Sequence, residues 1–468
     1  MTPVPDRDLP AMPDYQSDRA FMGHPRGLAY LAFSEGWERF SYYGMTALLA
    51  LYSAQYLFKP GHIEKIWGFA PFRAFLEAFF GPLTPLGMGG AIAALYGGLV
   101  YLTPILGGFV ADRFIGRTRA VIFGALTMAI GHFCMAFDQT YLLALACILI
   151  GSGFFKGNLA AQVGDLYAPG DLRRADAFQI YTLAIQVAVI VSPIVCGFLG
   201  QKIAWHVGFG AAGAGMLIGL GIYVSGRRWL PVEPAPLPGH LVEPRPALAA
   251  GEGKRIAVLI LLIPVLACAY VGNQEIFAAY ELWGDAHYQL VFFGWAMPAS
   301  FLISLDAIVS TLTLVGVVAF WRWWATRHAE PDEITKITIG TLAAALAPLC
   351  LALGSLHEAA TGQKIGLGWA LGFHLLNDIG FANTYPVGMA LFSRVAPKAV
   401  NATMMAAYLL SLFLAGLIVA KLASLLDKLS SASFWALHAV IIAAAAGVLL
   451  LLRTAAGRLL TPTVAAEV

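Results

Sequence analysis

The sequence predicts an all-α integral membrane protein with twelve transmembrane helices in two six-helix bundles and an extra periplasmic amphipathic helix. Hydrophobic residues make up 59% of the 468 residues, charged residues make up only 12%, and the mean hydropathy is +0.73. A soluble domain carries about 25% charged residues, so this chain lacks the polar surface that water requires. Apolar runs long enough to cross a bilayer, about 20 residues, recur along the sequence. We place them near 28–57, 90–111, 116–137, 141–166, 176–200, 205–226, 256–283, 298–325, 335–355, 365–393, 399–425 and 432–455.

The distribution of basic residues among the loops supports this count and predicts the orientation. Cytoplasmic loops of membrane proteins are enriched in Lys and Arg. The loops on one side of the predicted membrane hold most of the loop Lys and Arg residues, of which Arg113 is the first and Lys398 the last. The loops on the opposite side hold few, of which Lys59 is the first and Lys428 the last. Residues 1–25 contain no apolar run of the kind found in a cleavable signal peptide. We therefore expect a multi-pass protein of the bacterial inner membrane with both termini in the cytoplasm.

A segment rich in proline, glycine and glutamate divides the chain into halves. Such a composition is typical of a linker, and its position among basic loops predicts a cytoplasmic one. The predicted organisation is a cytoplasmic N-terminal tail at 1–27, a six-helix bundle at 28–228, the linker at 229–253, a second six-helix bundle at 254–458 and a C-terminal tail at 459–468.

Residues 59–89 form a predicted periplasmic insertion within the first bundle. Phenylalanine and leucine recur there at helical spacing between Phe72 and Phe80, with Arg73 and Glu77 off the apolar stripe. This pattern predicts a short amphipathic helix. It leaves two placements open, since such a helix either lies on the outer membrane surface or packs against the protein.

Three charged residues fall inside the first predicted span, in the segment SEGWERFSYYGM. Glu35, Glu38 and Arg39 share one helix face, and Tyr42 continues that face by one turn. A charge at mid-membrane costs about 2.5–3.5 kcal/mol on insertion scales, so it must be paired or line a hydrated cavity. Two carboxylates and one guanidinium leave an excess negative charge, and Lys156 in the fourth span is the expected partner. We interpret the cluster as a proton-coupling site, and the alternative is a static ion-pair network.

The second half carries acidic residues inside its predicted spans. Glu275, Asp306 and Asp378 have no basic residue on their own helix face at mid-depth. We therefore expect at least one of them to be protonated or hydrated. His374 lies one turn before Asp378, where it can hydrogen-bond to that carboxylate, and either a structural or a proton-relay role remains open. A further pair near the outer end of span seven, Glu281 and Asp285, is expected at the membrane interface.

Sequence motifs of enzymes and of ATP-driven transport are absent. The chain contains no GxxxxGK[ST] loop, no HExxH, no CxxC and no convincing nucleophile elbow. The net charge of +2 gives no reason to expect a nucleic-acid partner. We predict a protein that is not an enzyme and has no cofactor and no metal site.

Several segments resemble the proton-dependent oligopeptide transporter (POT) family of the major facilitator superfamily. HPRGLAYLAFSEGWERFSYYGM is similar to the family's first helix with its ExxER motif. The resemblance continues through YGGLVYLTPILGGFVADRFIGRTR, FFKGNLAAQVGDLY and RRADAFQIY, and it weakens in the second half. It implies a twelve-helix core, alternating access and uptake of di- and tripeptides driven by the proton gradient. We expect the protein to function as a monomer with membrane lipid, protons and a small solute as its partners.

The resemblance also implies roles for individual residues. Glu35, Glu38 and Arg39 match the residues for proton coupling and carboxylate binding, and Lys156 matches their basic partner. Glu275 lies close to the family's span-seven glutamate. Two further residues, Tyr43 and Tyr101, match tyrosines of the family's cavity. The predicted proton-coupling residues are therefore Glu35, Glu38, Arg39, Lys156 and Glu275.

Departures from the family pattern lie at the expected substrate site. Thr46 stands where the family has an arginine, and Phe381 stands where it has the span-ten glutamate that receives the peptide amino group. Asp378 is one turn away and is a possible replacement. Asp306 and Gln186 stand where asparagines are usual. The predicted substrate-binding residues are Arg39, Tyr42, Tyr43, Thr46, Tyr101, Lys156, Gln186, Glu275, Asp306, Asp378 and Phe381.

These departures weaken carboxylate recognition and favour a cationic group. The sequence thus predicts a proton-coupled symporter that imports small peptides or peptide-like, amine-bearing solutes. One alternative is a diverged family member that carries a non-peptide metabolite, either as an importer or as an exporter. The other is a non-transporting sensor with the same fold, although a sensor has no need to keep charges that are costly in lipid.

Overall fold

The computed structural model describes residues 18–168, 171–231, 248 and 251–460, and helices dominate these parts. Most of the two predicted tails and most of the predicted linker lie outside the described residues. The α-helices are α1 (Arg26–Tyr52), α2 (Phe69–Phe80), α3 (Pro85–Val110), α4 (Arg117–Cys134), α5 (Tyr141–Asp165), α6 (Arg173–Phe198), α7 (Trp205–Gly226), α8 (Glu252–Ala269), α9 (Val271–Glu275), α10 (Ala279–His287), α11 (Phe301–Ala325), α12 (Glu333–Thr361), α13 (Leu367–Val395), α14 (Asn401–Ala423) and α15 (Ser431–Leu460).

Short elements extend or connect these helices. A two-stranded antiparallel hairpin precedes α11, and its strands are β1 (Val291–Phe292) and β2 (Trp295–Ala296). Single π-helical turns prolong α1, α3 and α6, and they are Ser53–Leu57, Ala111–Ile115 and Leu199–Ile203. Turns of 3-10 helix lie in the connections, at Ile63–Lys65, Asp138–Thr140 and Arg227–Trp229.

Eight helices in the described part of the chain are long and apolar enough to cross a membrane. They are Pro85–Ile115, Asp138–Asp165, Arg173–Ile203, Trp205–Trp229, Phe301–Ala325, Glu333–Thr361, Thr403–Ala423 and Ser431–Gly457. The other four predicted spans fall on α1, α4, α8–α10 and α13. Polar and charged side chains lower the hydropathy of these helices. In α1, for example, these side chains include Glu35, Glu38 and Arg39.

Helix contacts group the chain into a first half, residues 18–231, and a second half, residues 251–460. In the first half, α1 packs against α6 and α7, and α5 packs against α3 and α4. In the second half, α12 packs against α13 and α15, and α8 packs against α14 and α15. The halves meet mainly where α3 contacts α14 and where α6 contacts α11.

Glycines allow close approach at the helix crossings. A Cβ atom built on Gly416 would lie 2.7 Å from the Gly98 Cα, so α3 and α14 touch backbone to backbone. Within the first half, a Cβ atom on Gly107 would lie 2.2 Å from the Gly153 carbonyl oxygen. Small residues at helix interfaces are the common device of membrane bundles, because apolar side chains gain little by leaving lipid.

The seventh predicted span, 256–283, is broken into three helices rather than continuous. α8 ends at Ala269, α9 covers Val271–Glu275, and α10 begins at Ala279 after Ala278 adopts φ −130° and ψ −108°. The break places Glu275 at the end of a short helix. Non-helical backbone at membrane depth is tolerated where protein buries it, and Ala278 is fully buried.

The insertion contains the predicted helix, α2. One side of it packs through Phe69 and Leu76, whereas Phe75 and Phe79 are exposed. The segment after α2 is held by α14 and the turn that follows it, because Lys421 Nζ donates to the Phe80 carbonyl oxygen at 2.7 Å. The helix therefore packs on the protein and still presents an apolar face outward.

The close crossing of α3 and α5 generates a stability prediction. Gly107→Ala should lower the melting temperature of the detergent-purified protein, because the added methyl group meets the Gly153 backbone and overpacking costs about 1–3 kcal/mol. Gly108→Ala is the matched control, since a Cβ atom on Gly108 meets nothing within 4 Å. Equal melting temperatures for the two variants would contradict this account of the crossing.

Candidate functional site

The three charges of α1 lie together in the interior of the first half. Arg39 forms ion pairs with both carboxylates, at 2.9 Å from its Nε to Glu35 Oε1 and 2.5 Å from its terminal nitrogen to Glu38 Oε2. All three side chains are buried, and Glu38 is fully so. One guanidinium thus serves two carboxylates, as helical spacing within one turn predicts. The cluster keeps one negative charge in excess when both carboxyls are ionised.

Lys156 of α5 faces this cluster but does not pair with it. Its Nζ lies 4.3 Å from the centre of the Tyr42 ring, and the Arg39 guanidinium carbon lies 5.5 Å from the same ring. Among the described residues, no carboxylate lies within ion-pair distance of Lys156, so the prediction of a direct pair with Glu35 and Glu38 is wrong for this conformation. The physical reason is that Arg39 already occupies both carboxylates, and the Tyr42 ring stands beside it as a cation–π partner.

A small cavity of about 40 Å³ adjoins the cluster between α1, α3 and the broken seventh span. Four predicted substrate residues line it: Tyr42, Tyr43, Thr46 and Tyr101. The cavity volume is close to that of one water molecule, about 30 Å³, so the lining side chains leave little free space between them. Its other polar and aromatic lining residues, Asn273, Gln274 and Phe277, were not predicted.

The unpredicted lining residues carry one sequence signal. Asn273 and Gln274 immediately precede Glu275, which was singled out as an intramembrane carboxylate. The break between α9 and α10 turns this polar stretch toward α1. A continuous helix over 256–283 would not predict that placement.

Contacts between the halves close the predicted outer side of the molecule. Gln55 Nε2 at the end of the first span donates to Asp285 Oδ2 at 2.8 Å. The Ser300 backbone N–H donates to Gln201 Oε1 at 3.2 Å. All four residues lie near helix ends that the distribution of basic loop residues assigns to the outside. The two hydrogen bonds therefore join the halves on that predicted side.

Glu275 lies apart from the α1 cluster and has a histidine partner. Its Oε2 atom is 3.3 Å from His438 Nε2 of α15, and both side chains are fully buried. His438 is a functional candidate that the sequence reasoning missed. An ionisable residue within the last predicted span, in WALHAV, was the available signal.

His374 bonds to a different carboxylate from the one predicted. Its Nδ1 atom lies 2.8 Å from Asp306 Oδ1 of α11, and its Nε2 atom lies 2.9 Å from the Tyr280 hydroxyl of α10. The expected bond to Asp378 is therefore wrong, because α13 turns the imidazole toward α10 and α11. Asp378 itself is buried, and neither of its oxygens has a hydrogen-bond partner among the described residues.

The expectation that Glu281 and Asp285 are interfacial is wrong for Glu281. This side chain is fully buried, and both carboxyl oxygens lack a hydrogen-bond partner within the described chain. The reason is that α10 packs against α1 and α3 instead of facing the membrane surface. Asp285 is partly buried and accepts the hydrogen bond from Gln55.

The two remaining predicted substrate residues lie outside the cavity. Gln186 of α6 donates to Thr311 Oγ1 of α11 at 2.8 Å and so links the halves. Phe381 stacks on Tyr385 with ring centres 5.1 Å apart and contacts Tyr270 at 5.9 Å. Phe381 therefore belongs to an aromatic group of the second half, where its family counterpart would place a charge.

Comparisons with known proteins agree with the architecture. The family model described as "POT family" matches residues 118–236. The chain is 28% identical to an "Uncharacterized transporter YclF" of Bacillus subtilis over 93% of this chain and 94% of that protein. It is 31% identical to a "Di-/tripeptide transporter" of Lactococcus lactis subsp. cremoris over 69% of this chain and 57% of that one. A crystal structure of a peptide transporter POT superimposes with a TM-score of 0.81 at 25% identity, and the match covers 95% of this chain and 97% of that chain.

The chain belongs to the POT family. The proteins matched across this family are transporters rather than enzymes, which agrees with the prediction from the missing catalytic motifs. The similarity to a POT structure extends over both halves, including the weakly similar second half. The POT membership thus supports the resemblance first seen in the segment around Glu35.

The shared guanidinium generates a stability prediction for this POT protein. Arg39→Met leaves two buried carboxylates without a cation, and breaking a buried pair costs about 3–5 kcal/mol. The melting temperature should therefore fall strongly. Thermal unfolding in detergent measures the change.

Lys156→Met is the matched control for Arg39→Met. It removes a partly buried cation that has no ion-pair partner in the described residues, so its effect on the melting temperature should be smaller. A larger loss for Lys156→Met than for Arg39→Met would show that Lys156, not Arg39, balances the carboxylates.

Proposed function

We propose that this protein is a proton-coupled symporter that imports small peptides or peptide-like, amine-bearing solutes across the bacterial inner membrane by alternating access. In this proposal twelve helices span the membrane in two six-helix bundles, with both termini in the cytoplasm and α2 at the outer surface. The observation that carries the proposal is the buried triad Glu35–Arg39–Glu38 beside the cavity. The names of its relatives, which include di- and tripeptide transporters, support the substrate class.

The triad links a proton to a solute carboxylate through one shared cation. Arg39 is engaged by both carboxylates in this conformation, so little of its charge is free for a ligand. A proton on Glu35 or Glu38 removes one competitor and frees part of the guanidinium. A solute carboxylate then binds more tightly to the protonated protein, and by linkage the bound solute favours proton uptake.

Lys156 supplies the second positive charge in the proposed site. Like Arg39, it contacts the Tyr42 ring, and it lies within electrostatic range of Glu35 and Glu38. A solute carboxylate that enters the cavity beside Tyr42 would have two cations near it. Because Lys156 is not held by an ion pair among the described residues, it is available for this contact.

The closed outer side supports a place for this conformation in the transport cycle. Gln55–Asp285 and Gln201–Ser300 join the halves on the predicted outer side, and the cavity of about 40 Å³ is too small for a peptide. We assign the conformation to a stage with the outer gate shut. Opening toward the periplasm requires the α1–α10 contacts to separate, which rocking of one half against the other provides.

The chemistry of the site supports an amine-bearing solute. Thr46, at the cavity wall, is neutral and donates its hydroxyl to the Tyr42 carbonyl oxygen at 2.8 Å. The second half presents buried carboxyls at Glu275, Asp306 and Asp378 with no buried Lys or Arg among its described residues. A solute ammonium group would find negative partners there. The neutral Thr46 and Phe381 also favour, as a second candidate, a relative specialised for a non-peptide amine metabolite.

Removing one carboxyl of the triad tests proton coupling. Glu35→Gln should abolish proton-driven accumulation of radiolabelled dialanine in proteoliposomes while counterflow exchange continues, because exchange needs binding and reorientation but no net proton movement. Glu64→Gln, a change in an outer loop away from the triad, is the control and should leave both activities intact. Undiminished accumulation by Glu35→Gln would overturn the coupling assignment.

Restoring the family residues tests the proposed specificity. Thr46→Arg combined with Phe381→Glu should strengthen dialanine binding by roughly tenfold, which corresponds to about 1.4 kcal/mol. The arginine would add a cation at the cavity wall, and the glutamate would add an anion for the amino group. Thermal-shift titration with dialanine measures the effect, and the two single variants serve as controls. Unchanged binding would mean that these positions do not set specificity.

A further inference from the structure

The second half contains a buried group of titratable side chains that the proposed coupling mechanism does not use. Asp306 of α11 lies 2.8 Å from His374 Nδ1 of α13, and the Tyr280 hydroxyl of α10 lies 2.9 Å from His374 Nε2. Asp378 follows His374 by one helical turn and is buried. Three helices thus bring two carboxyls, an imidazole and a phenol together within one half.

The hydrogen bonds fix where the proton sits on the neutral imidazole. An ionised carboxylate can only accept, so Nδ1 carries the proton and donates it to Asp306 Oδ1. Nε2 is then the acceptor for the Tyr280 hydroxyl. A proton from the aqueous phase adds at Nε2, and the imidazolium donates from both nitrogens once the Tyr280 hydroxyl turns to become an acceptor.

The surroundings of the group contain no permanent cation in the described chain. Tyr280 and Tyr288 face it from α10 and the segment that follows, and Cys350 lies near Tyr280 from α12. Gln186 and Thr311, at the contact of α6 with α11, are neutral. Another buried carboxyl–histidine pair of this half is Glu275 with His438.

Asp378 makes this arrangement incomplete as a static structure. Both of its oxygens are buried, no basic side chain pairs with them among the described residues, and Asp378 lies within electrostatic range of Asp306. In the described residues Arg39 is the only buried Lys or Arg, and it serves the α1 cluster. Two ionised carboxylates in such a place would be uncompensated, which is costly at membrane depth. A proton is the smallest cation that satisfies them.

We propose that Asp306, His374 and Asp378 form a second proton-binding site, separate from the site of Glu35, Glu38 and Arg39. Within this group the Asp306 side chain is 11% exposed, whereas the His374 side chain is 0% exposed. Before the proton binds, the group consists of two carboxylates and a neutral imidazole. Afterwards it consists of the same two carboxylates and an imidazolium, so its net negative charge is smaller by one. Its role in transport rests on the proposed function, whereas proton binding itself does not.

The titration of His374 in the full-length protein tests the site without any solute. The protein is labelled with ¹⁵N-histidine, purified into nanodiscs and followed by NMR, and the His374 signal is assigned by its loss in His374→Gln. His374 should hold the Nδ1–H tautomer at the high-pH end of a pH series and carry protons on both nitrogens at the low-pH end. Asp306→Asn should change this transition, because it removes the anion that contacts the imidazole.

His132 is the internal control in the same spectra. It is as deeply buried as His374, but its Nε2 atom lies 2.7 Å from the Ser41 hydroxyl and no carboxylate pairs with it in the described residues. It should stay neutral over the same range. A His374 signal that does not titrate, or whose transition is the same in Asp306→Asn, would overturn the proposed site.

A transport measurement separates this inference from the proposed symport. With dialanine as the solute, His374→Gln should lower the number of protons moved per peptide by about one, as determined from reversal potentials in proteoliposomes. An unchanged ratio would overturn the role of the site in coupling. If His374 titrates but dialanine drives no proton flux in the unmodified protein, the proposed dipeptide symport fails while the proton-binding site stands.

Discussion

Buried negative charge is the constraint on which the interior of this protein depends. Six carboxyl groups are buried in the described residues, at Glu35, Glu38, Glu275, Glu281, Asp306 and Asp378. The only buried Lys or Arg in the same residues is Arg39, and Lys156 is partly buried. In a low-dielectric interior each carboxyl must find a cation, a hydrogen-bond donor or a proton. The fold pairs four of them, Glu35, Glu38, Glu275 and Asp306, with an arginine or a histidine.

This imbalance connects the architecture to transport. The triad on α1 places its charges beside a cavity that lies where the first half meets the broken seventh span. A change in proton occupancy there alters the charge that faces the opposite half, which meets the first half at glycine crossings such as Gly98 with Gly416. In the proposed function, proton binding and the relative position of the halves are coupled in one equilibrium.

The sequence allowed the prediction of features that depend on local spacing. The shared face of Glu35, Glu38 and Arg39 follows from helical periodicity, and the structure places them in contact. The helix in the insertion follows from its phenylalanine spacing, and α2 lies there. POT membership was recognisable because the motif around Glu35 combines residues that are individually costly in lipid.

Features that depend on the rotation and docking of helices could not be predicted. Lys156 meets the Tyr42 ring instead of a carboxylate, and His374 selects Asp306 instead of Asp378. The Lys156 prediction assumed that a cation pairs with the excess negative charge on another helix. The His374 prediction assumed that the carboxylate nearest in sequence is also the partner in space. Glu281 became buried because α10 turns inward after the break in the seventh span. Single-sequence periodicity contains no information about that break.

The central claim is that solute entry and proton entry are one event. It is tested most directly by adding dialanine to proteoliposomes that contain the unmodified protein and the pH indicator pyranine, with radiolabelled dialanine followed in parallel. The account predicts that the lumen acidifies as the peptide accumulates and that an uncoupler stops the accumulation. Peptide accumulation with no change of lumen pH would contradict it.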